Sequence, residues 1–193
     1  MSGVTGLPGL AVTATGLCLF AAAVALARRG RTPEEGARRD RASLLGIGIQ
    51  GLGFVIVATG PIRVALDPLA ASAIGKAILT AVCLGAALAL FLWARQTMGR
   101  NWSIVARTRM DHALVTAGPF AHVRHPIYTA IGLLLVGVAL GLGHEPRLVA
   151  ALPVYALGTW LRVRIEERLL RMQFGRTYDA YAARVNRFVP LVF

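Results

Sequence analysis

The stretch "LPGLAVTATGLCLFAAAVALARR", Leu7 to Arg29, runs for 21 residues without a charge and then meets two arginines. About 20 consecutive apolar residues cross the hydrocarbon of a bilayer as a helix, so this segment makes lipid the chain's first solvent. A cleaved secretory leader is the other reading, because "ALARRG" offers a small-residue cleavage site. Nothing positive precedes the run, however, and its arginines follow it, which is the wrong order for a leader.

Outward from there, four more apolar runs stand at Leu44 to Leu66, Leu69 to Ala94, Pro126 to Leu142 and Leu148 to Leu161. The 193 residues are 56% hydrophobic and 16% charged with a formal charge of +12, too apolar for an ordinary soluble domain. The expected fold is an all-α integral membrane protein of about five transmembrane helices, with four as the fallback. The last two runs are short, which predicts a tight helical hairpin around "GLGHEPR".

Arginines and lysines in short loops stay on the cytoplasmic side. All but three of the 21 basic residues fall in three segments: Arg28 to Arg41, Arg95 to Arg124 and Arg162 to Arg187. Five spans put all three on one side, with the N-terminus outside and the C-terminus cytoplasmic. The exceptions are Arg63, Lys76 and Arg147. For Arg63 and Lys76, near the outer ends of spans two and three, snorkelling is favoured over an internal partner. Juxtamembrane arginines with few interleaved aromatics suit anionic lipid headgroups and exclude a nucleic-acid surface. Cys18 and Cys83 lie inside spans without paired spacing and read as small apolar residues.

The chain divides into residues 1–98, three spans, and residues 99–193, a polar loop, the hairpin and a tail. The first basic loop, "RRGRTPEEGARRDRAS", reads as a connector. Gly51 and Gly53 in span two and Gly137 and Gly141 in span four are expected to let helices approach closely. Beyond Leu161, apolar and aromatic residues recur at helical spacing: Ile165, Leu169, Met172, Tyr178, Tyr181, Val185 and Phe188. That predicts a fifth helix leaving the bilayer, pausing at "FGRTYD" and continuing along the interface.

Two polar motifs flank the hairpin. In "RVRIEERLL", Arg162 and Glu166 are four residues apart and share a helix face, while Arg164 and Glu167 lie on other faces. The pair is either structural or shares a ligand. In "GPFAHVRHPIYTA", Gly118–Pro119 makes a turn, and Pro126 stands where proline is tolerated, in a helix's first turn. His125 is then at a helix entrance, whose free N–H groups suit an electron-rich ligand, with Tyr128 one turn on. His122 and His125 have an HxxH spacing but no evident third ligand, so no metal is expected. No Ser or Cys nucleophile has an obvious histidine partner.

Together "GRNWS", "HALVTAGPFAHVRHPIYTA" and "RVRIEERLL...FGRTYDAYAARVNRFVP" resemble the isoprenylcysteine carboxyl methyltransferase family, in its short bacterial branch, and more distantly the phospholipid methyltransferases. The resemblance spans roughly Gly99 to Pro190. It implies a bacterial inner-membrane methyltransferase that uses S-adenosylmethionine, with its site facing the cytoplasm and its cofactor pocket built by the C-terminal half. Carried over by position, that pocket takes His112, Ala113, Leu114, Val115, Phe120, His125, Pro126, Ile127, Tyr128 and Glu166. Arg162 falls where the family holds the substrate carboxylate. Phe120 stands where a tyrosine is common, and Ala130 replaces a usual glycine.

The implied partners are membrane lipids and a lipophilic or prenylated acid, with no nucleic acid and no metal. A carboxylate is already ionised at neutral pH, so the lack of a convincing base suits the reading. A thiol or amine acceptor stays open and would bring His122 or Tyr128 into play. Two rival functions also stand: a nicotinamide-dependent membrane reductase of the sterol-reductase type, and a non-catalytic scaffold or small transporter.

Overall fold

The computed structural model describes residues 3–29, 41–99 and 114–189. Six α-helices follow in order: α1 (Leu7–Arg28), α2 (Arg41–Ala58), α3 (Ala71–Met98), α4 (Pro126–Leu142), α5 (Leu148–Phe174) and α6 (Arg176–Ala182). Among the described residues there is no strand, only the isolated bridges Thr5–Val64 and Val123–Asn186. Among the described residues, three helical segments are long and apolar enough to cross a membrane: Leu7–Arg28, Ala71–Met98 and Glu145–Phe174. Ser43–Ala58 and Pro126–Leu142 are shorter apolar helices.

The helices pack as two groups. In one, α4 lies against α3, with α1 covering both. Helix association in lipid has no water to escape, so close van der Waals contact must hold it together. Glycines of α4 supply that contact: a Cβ at Gly137 would come within 2.6 Å of Leu84 Cδ2 on α3, and one at Gly141 would strike Thr13 on α1. Phe20 and Phe91 stack between α1 and α3 with centroids 5.1 Å apart. In the other group α5 lies along α2. Gly53 approaches the Ala151 carbonyl and Tyr155, whereas Gly51, expected to serve the same purpose, has open space where a Cβ would go.

Three further expectations change. Span two was expected to reach Leu66, but α2 ends at Ala58. Gly60, with φ of +106°, and Pro61 turn the chain into an extended segment, where Thr5 N–H donates to the Arg63 carbonyl at 2.9 Å. Arg63 therefore lies beyond the helix. Lys76 does not simply snorkel: its ammonium pairs with Glu145 and donates to the Val4 carbonyl at 2.6 Å. Finally, a 3-10 turn at Glu145–Arg147 joins α4 to α5 as the hairpin requires, yet their principal neighbours are α3 and α2 respectively.

Beyond the bilayer-length portion, α5 continues unbroken to Phe174 and stops where Gly175 takes φ of +49°. The chain restarts as α6 and then returns to α4: the Arg124 N–H donates to the Asn186 carbonyl at 2.8 Å, and His125 N–H to the Arg187 carbonyl at 2.9 Å. This return carries the tail back to the "RHP" motif.

Candidate active site

The site forms where the start of α4, the polar third of α5 and the returning tail meet. Pro126 occupies the first turn of α4 and His125 its N-cap, the arrangement that a proline without an N–H favours. Ahead of them, Gly118, with φ of +58°, opens a 3-10 turn through Ala121 that buries Pro119 and Phe120. The Tyr181 hydroxyl donates to the Phe120 carbonyl at 2.7 Å, fixing α6 under that turn. Burial lifts the Tyr181 phenol to about 12, so it remains a neutral donor.

Tyr128, one turn into α4, is where the two motifs meet. Its hydroxyl donates to Glu166 Oε2 at 3.0 Å, and the Arg162 guanidinium lies over its ring, 5.1 Å from the centroid. Tyr155 anchors the ring's backbone by donating to the Tyr128 carbonyl at 2.6 Å. Arg162 and Glu166 thus share a helix face as expected and share Tyr128 as well. A cation and a carboxylate stand beside one aromatic ring, which suits a ligand carrying both signs of charge or a charged pair of ligands.

The next residue, Glu167, is the one that sequence reading missed. It is 2% exposed and sits among four cationic or ionisable groups. Arg187 donates to both carboxylate oxygens at 3.0 Å, His125 Nε2 lies 3.3 Å from Oε1, and Arg124 and Arg171 approach to 3.5 and 3.6 Å. The carboxylate's hydrogen bond holds the Arg187 guanidinium above its usual range. Successive helix residues differ in direction by about 100°, so Glu166 faces α4 while Glu167 turns toward the motif and the tail. His125 lies between the two acids, with Nδ1 at 3.9 Å from Glu166 Oε2. The Phe188 ring packs 5.9 Å from the His125 imidazole. Arg164, on another face, stacks on Trp160.

Of the expected residues, His125, Tyr128, Arg162 and Glu166 come together. Pro126 is buried at the helix start, and Ile127 packs against the bundle core. Leu114 and Val115 are half-buried in the segment leading to the 3-10 turn. His112 and Ala113 lie outside the described residues. His122 is exposed, its ring 6.4 Å from that of Trp93.

This arrangement of apolar helices with a cation and a carboxylate beside one aromatic ring defines the chain as a membrane-type helical fold with a charged site where α4 and α5 meet the tail. Comparison with known proteins places it further. The sequence pattern of the family described as phospholipid methyltransferase matches residues 76–177, and the chain belongs to that family. The protein-S-isoprenylcysteine O-methyltransferase of Schizosaccharomyces pombe is 30% identical over 115 residues, 58% of this chain and 47% of that protein. The cobalt-zinc-cadmium resistance protein CzcN of Cupriavidus metallidurans is 35% identical over 118 residues, 58% of this chain and 49% of its own. The chain thus spans about half the length of the curated relatives it matches. The solved structure of a eukaryotic intramembrane Ras methyltransferase, isoprenylcysteine carboxyl methyltransferase, shares the fold with a TM-score of 0.57 at 20% identity, covering 96% of this chain and 68% of that one. The likeness read from the "RHPIY" and "RVRIEE" motifs is borne out by these relatives.

Proposed function

We propose that the chain is an integral-membrane methyltransferase that uses S-adenosylmethionine to esterify a lipophilic carboxylic acid, of the isoprenylcysteine kind or similar. The observation that supports it most directly is Tyr128, held from one side by Glu166 and covered from the other by Arg162. Glu166 suits the cofactor's ammonium group: Tyr128 fixes Oε2, and the side chain is 34% exposed. Bound there, the cofactor supplies an activated methyl group on sulfur. Arg162 would hold one oxygen of the substrate carboxylate through charge-assisted hydrogen bonds and leave the other to react. The acid is ionised at neutral pH, so no general base is required. His125, Pro126 and Ile127 at the start of α4, with Phe120 in the turn before it, would contribute to the same pocket. His112, Ala113, Leu114 and Val115 complete the cofactor pocket in the proposal.

The same reading carries the finer topology. All five apolar helices span the bilayer, the N-terminus is outside and the C-terminus cytoplasmic, and the site faces the cytoplasm of a bacterial inner membrane. Residues 1–98 furnish the helices against which residues 99–193 build the catalytic region.

Titration calorimetry of the detergent-solubilised chain with S-adenosylhomocysteine, with NADPH in parallel, tests the cofactor. Binding of the former alone is expected, and binding of NADPH alone would transfer the chain to the reductases. Arg162→Ala is expected to abolish turnover of a carboxylate substrate while sparing cofactor binding. Unchanged turnover would remove Arg162 from the mechanism.

A further inference from the structure

Gln50 is a buried amide in an otherwise apolar helix, 5% exposed, with both ends of its side chain engaged. Its Nε2 donates to Thr159 Oγ1 at 2.8 Å, and its Oε1 accepts from Arg162 Nη1 at 2.9 Å. An amide whose NH2 is committed to Thr159 has its carbonyl oxygen aimed by that commitment. Its register is fixed as well. A Cβ at Gly158 would lie 2.7 Å from the Gln50 nitrogen and 2.8 Å from the Gly46 carbonyl oxygen, and one at Gly46 would strike the Arg162 stem. Backbone therefore meets backbone between α2 and α5, and α2 cannot slide along α5 without a clash.

We propose that Gln50 is the positioning residue for Arg162, a neutral acceptor that directs the guanidinium without cancelling its charge, so that the site selects an anionic acceptor over a neutral one. This rests on the reading of Arg162 as the substrate-carboxylate group. Arg162 is then held on two sides, by the Gln50 amide and by the Tyr128 ring. Both of these contacts are with neutral groups. A carboxylate in place of Gln50 would hold the guanidinium equally well and compete with the substrate for it. The selectivity would thus be shared by α2, which lies outside the family-matched residues 76–177.

The ordinary alternative is an interhelical hydrogen bond with no role beyond packing. The substitution Gln50→Glu separates the two, because it preserves shape and the acceptor while adding charge. The full chain in detergent would be assayed with N-acetyl-S-farnesylcysteine and with its carboxamide, which keeps the lipid and loses the charge. Affinity for S-adenosylhomocysteine would be measured alongside. The wild type is expected to bind the acid in preference to the carboxamide. Gln50→Glu is expected to raise KM for the acid by about tenfold or more and to shrink that preference equally, with cofactor affinity unchanged. Gln50→Ala is expected to be affected less than Gln50→Glu. The reverse order, in which Glu restores what Ala loses, overturns the proposal and leaves a packing contact.

Should Gln50→Glu fail to fold, Thr159→Val releases the amide without adding charge. It is expected to raise KM for the acid severalfold with kcat retained, and an unchanged KM overturns the proposal. Arg162→Ala keeps the two layers apart. If it leaves turnover intact, the role of Arg162 fails and this inference with it. If it abolishes turnover while Gln50→Glu and Thr159→Val behave as wild type, the inference about Gln50 fails alone.

Discussion

Replacing Glu167 by alanine would leave Arg124 and His125 packed around a missing carboxylate. Their side chains are only 10% and 3% exposed, so water cannot take its place, whereas Arg187 and Arg171, at 40% and 46%, can be resolvated. Most of the penalty therefore falls on the two buried partners. Breaking a buried ion pair from one side costs about 3–5 kcal/mol. For a chain of this size each kcal/mol moves Tm by roughly 2–4 °C, so a fall of about 6–20 °C is expected. Glu167→Gln keeps the shape and loses the charge, and the double cycle with Arg187→Met should return a coupling of about 1.5–3 kcal/mol, the worth of a hydrogen bond to a charged group. Thermal unfolding in one detergent, followed by tryptophan fluorescence, reads both, and limited proteolysis after Ala182 reads release of the tail. The exposed Arg168→Ala serves as the reference. If Glu167→Ala lowers Tm no further than that surface change, Glu167 does not hold the tail on the motif and the reasoning fails.

Other outcomes follow from the same geometry. Tyr128→Phe removes the hydroxyl that fixes Glu166 and should weaken S-adenosylhomocysteine binding by about tenfold, the equivalent of one charge-assisted hydrogen bond; calorimetry showing wild-type affinity would detach Glu166 from the cofactor. Gly158→Ala forces a methyl group against backbone atoms of α2 and should cost about 1–3 kcal/mol, while Gly48→Ala, which points into open space, should be near neutral in the same melts. Equal costs at the two glycines would refute the backbone contact between α2 and α5. In a background lacking Cys18 and Cys83, Arg29→Cys and Arg184→Cys should react with an impermeant thiol reagent from one side and Asp67→Cys from the other. Labelling of all three from a single side would break the five-span arrangement.

Helical architecture was legible because apolar length and arginine placement are each read directly from the chain. The pairing of helices was not. Adjacency in sequence favours α4 with α5, but what decides the partner of α5 is the absence of side chains at Gly46 and Gly158, and a glycine does not announce which helix it meets. Span two reads too long in the sequence because Pro61 to Leu66 is apolar enough to pass for helix, whereas the left-handed turn at Gly60 ends the helix. His125, Tyr128, Arg162 and Glu166 emerged from family resemblance and helical spacing together. Glu167 is not legible because spacing along one helix shows only which residues share a face. It does not show that a tail some twenty positions later returns to the other face. A signal for Gln50 did exist: a lone amide in an apolar run is costly in lipid unless something answers it.

The return of the tail to α4 also imposes an order of events on the making of the protein. Glu167 is joined to the chain before residues 186–188 are. Until Arg187 is synthesised, the acid lacks the guanidinium that donates to both its oxygens, and the backbone of Arg124 and His125 lacks the carbonyls it donates to. The site is therefore closed by residues that follow all five apolar helices, and a product cut off after Ala182 would carry those helices yet leave its acid–base cluster open.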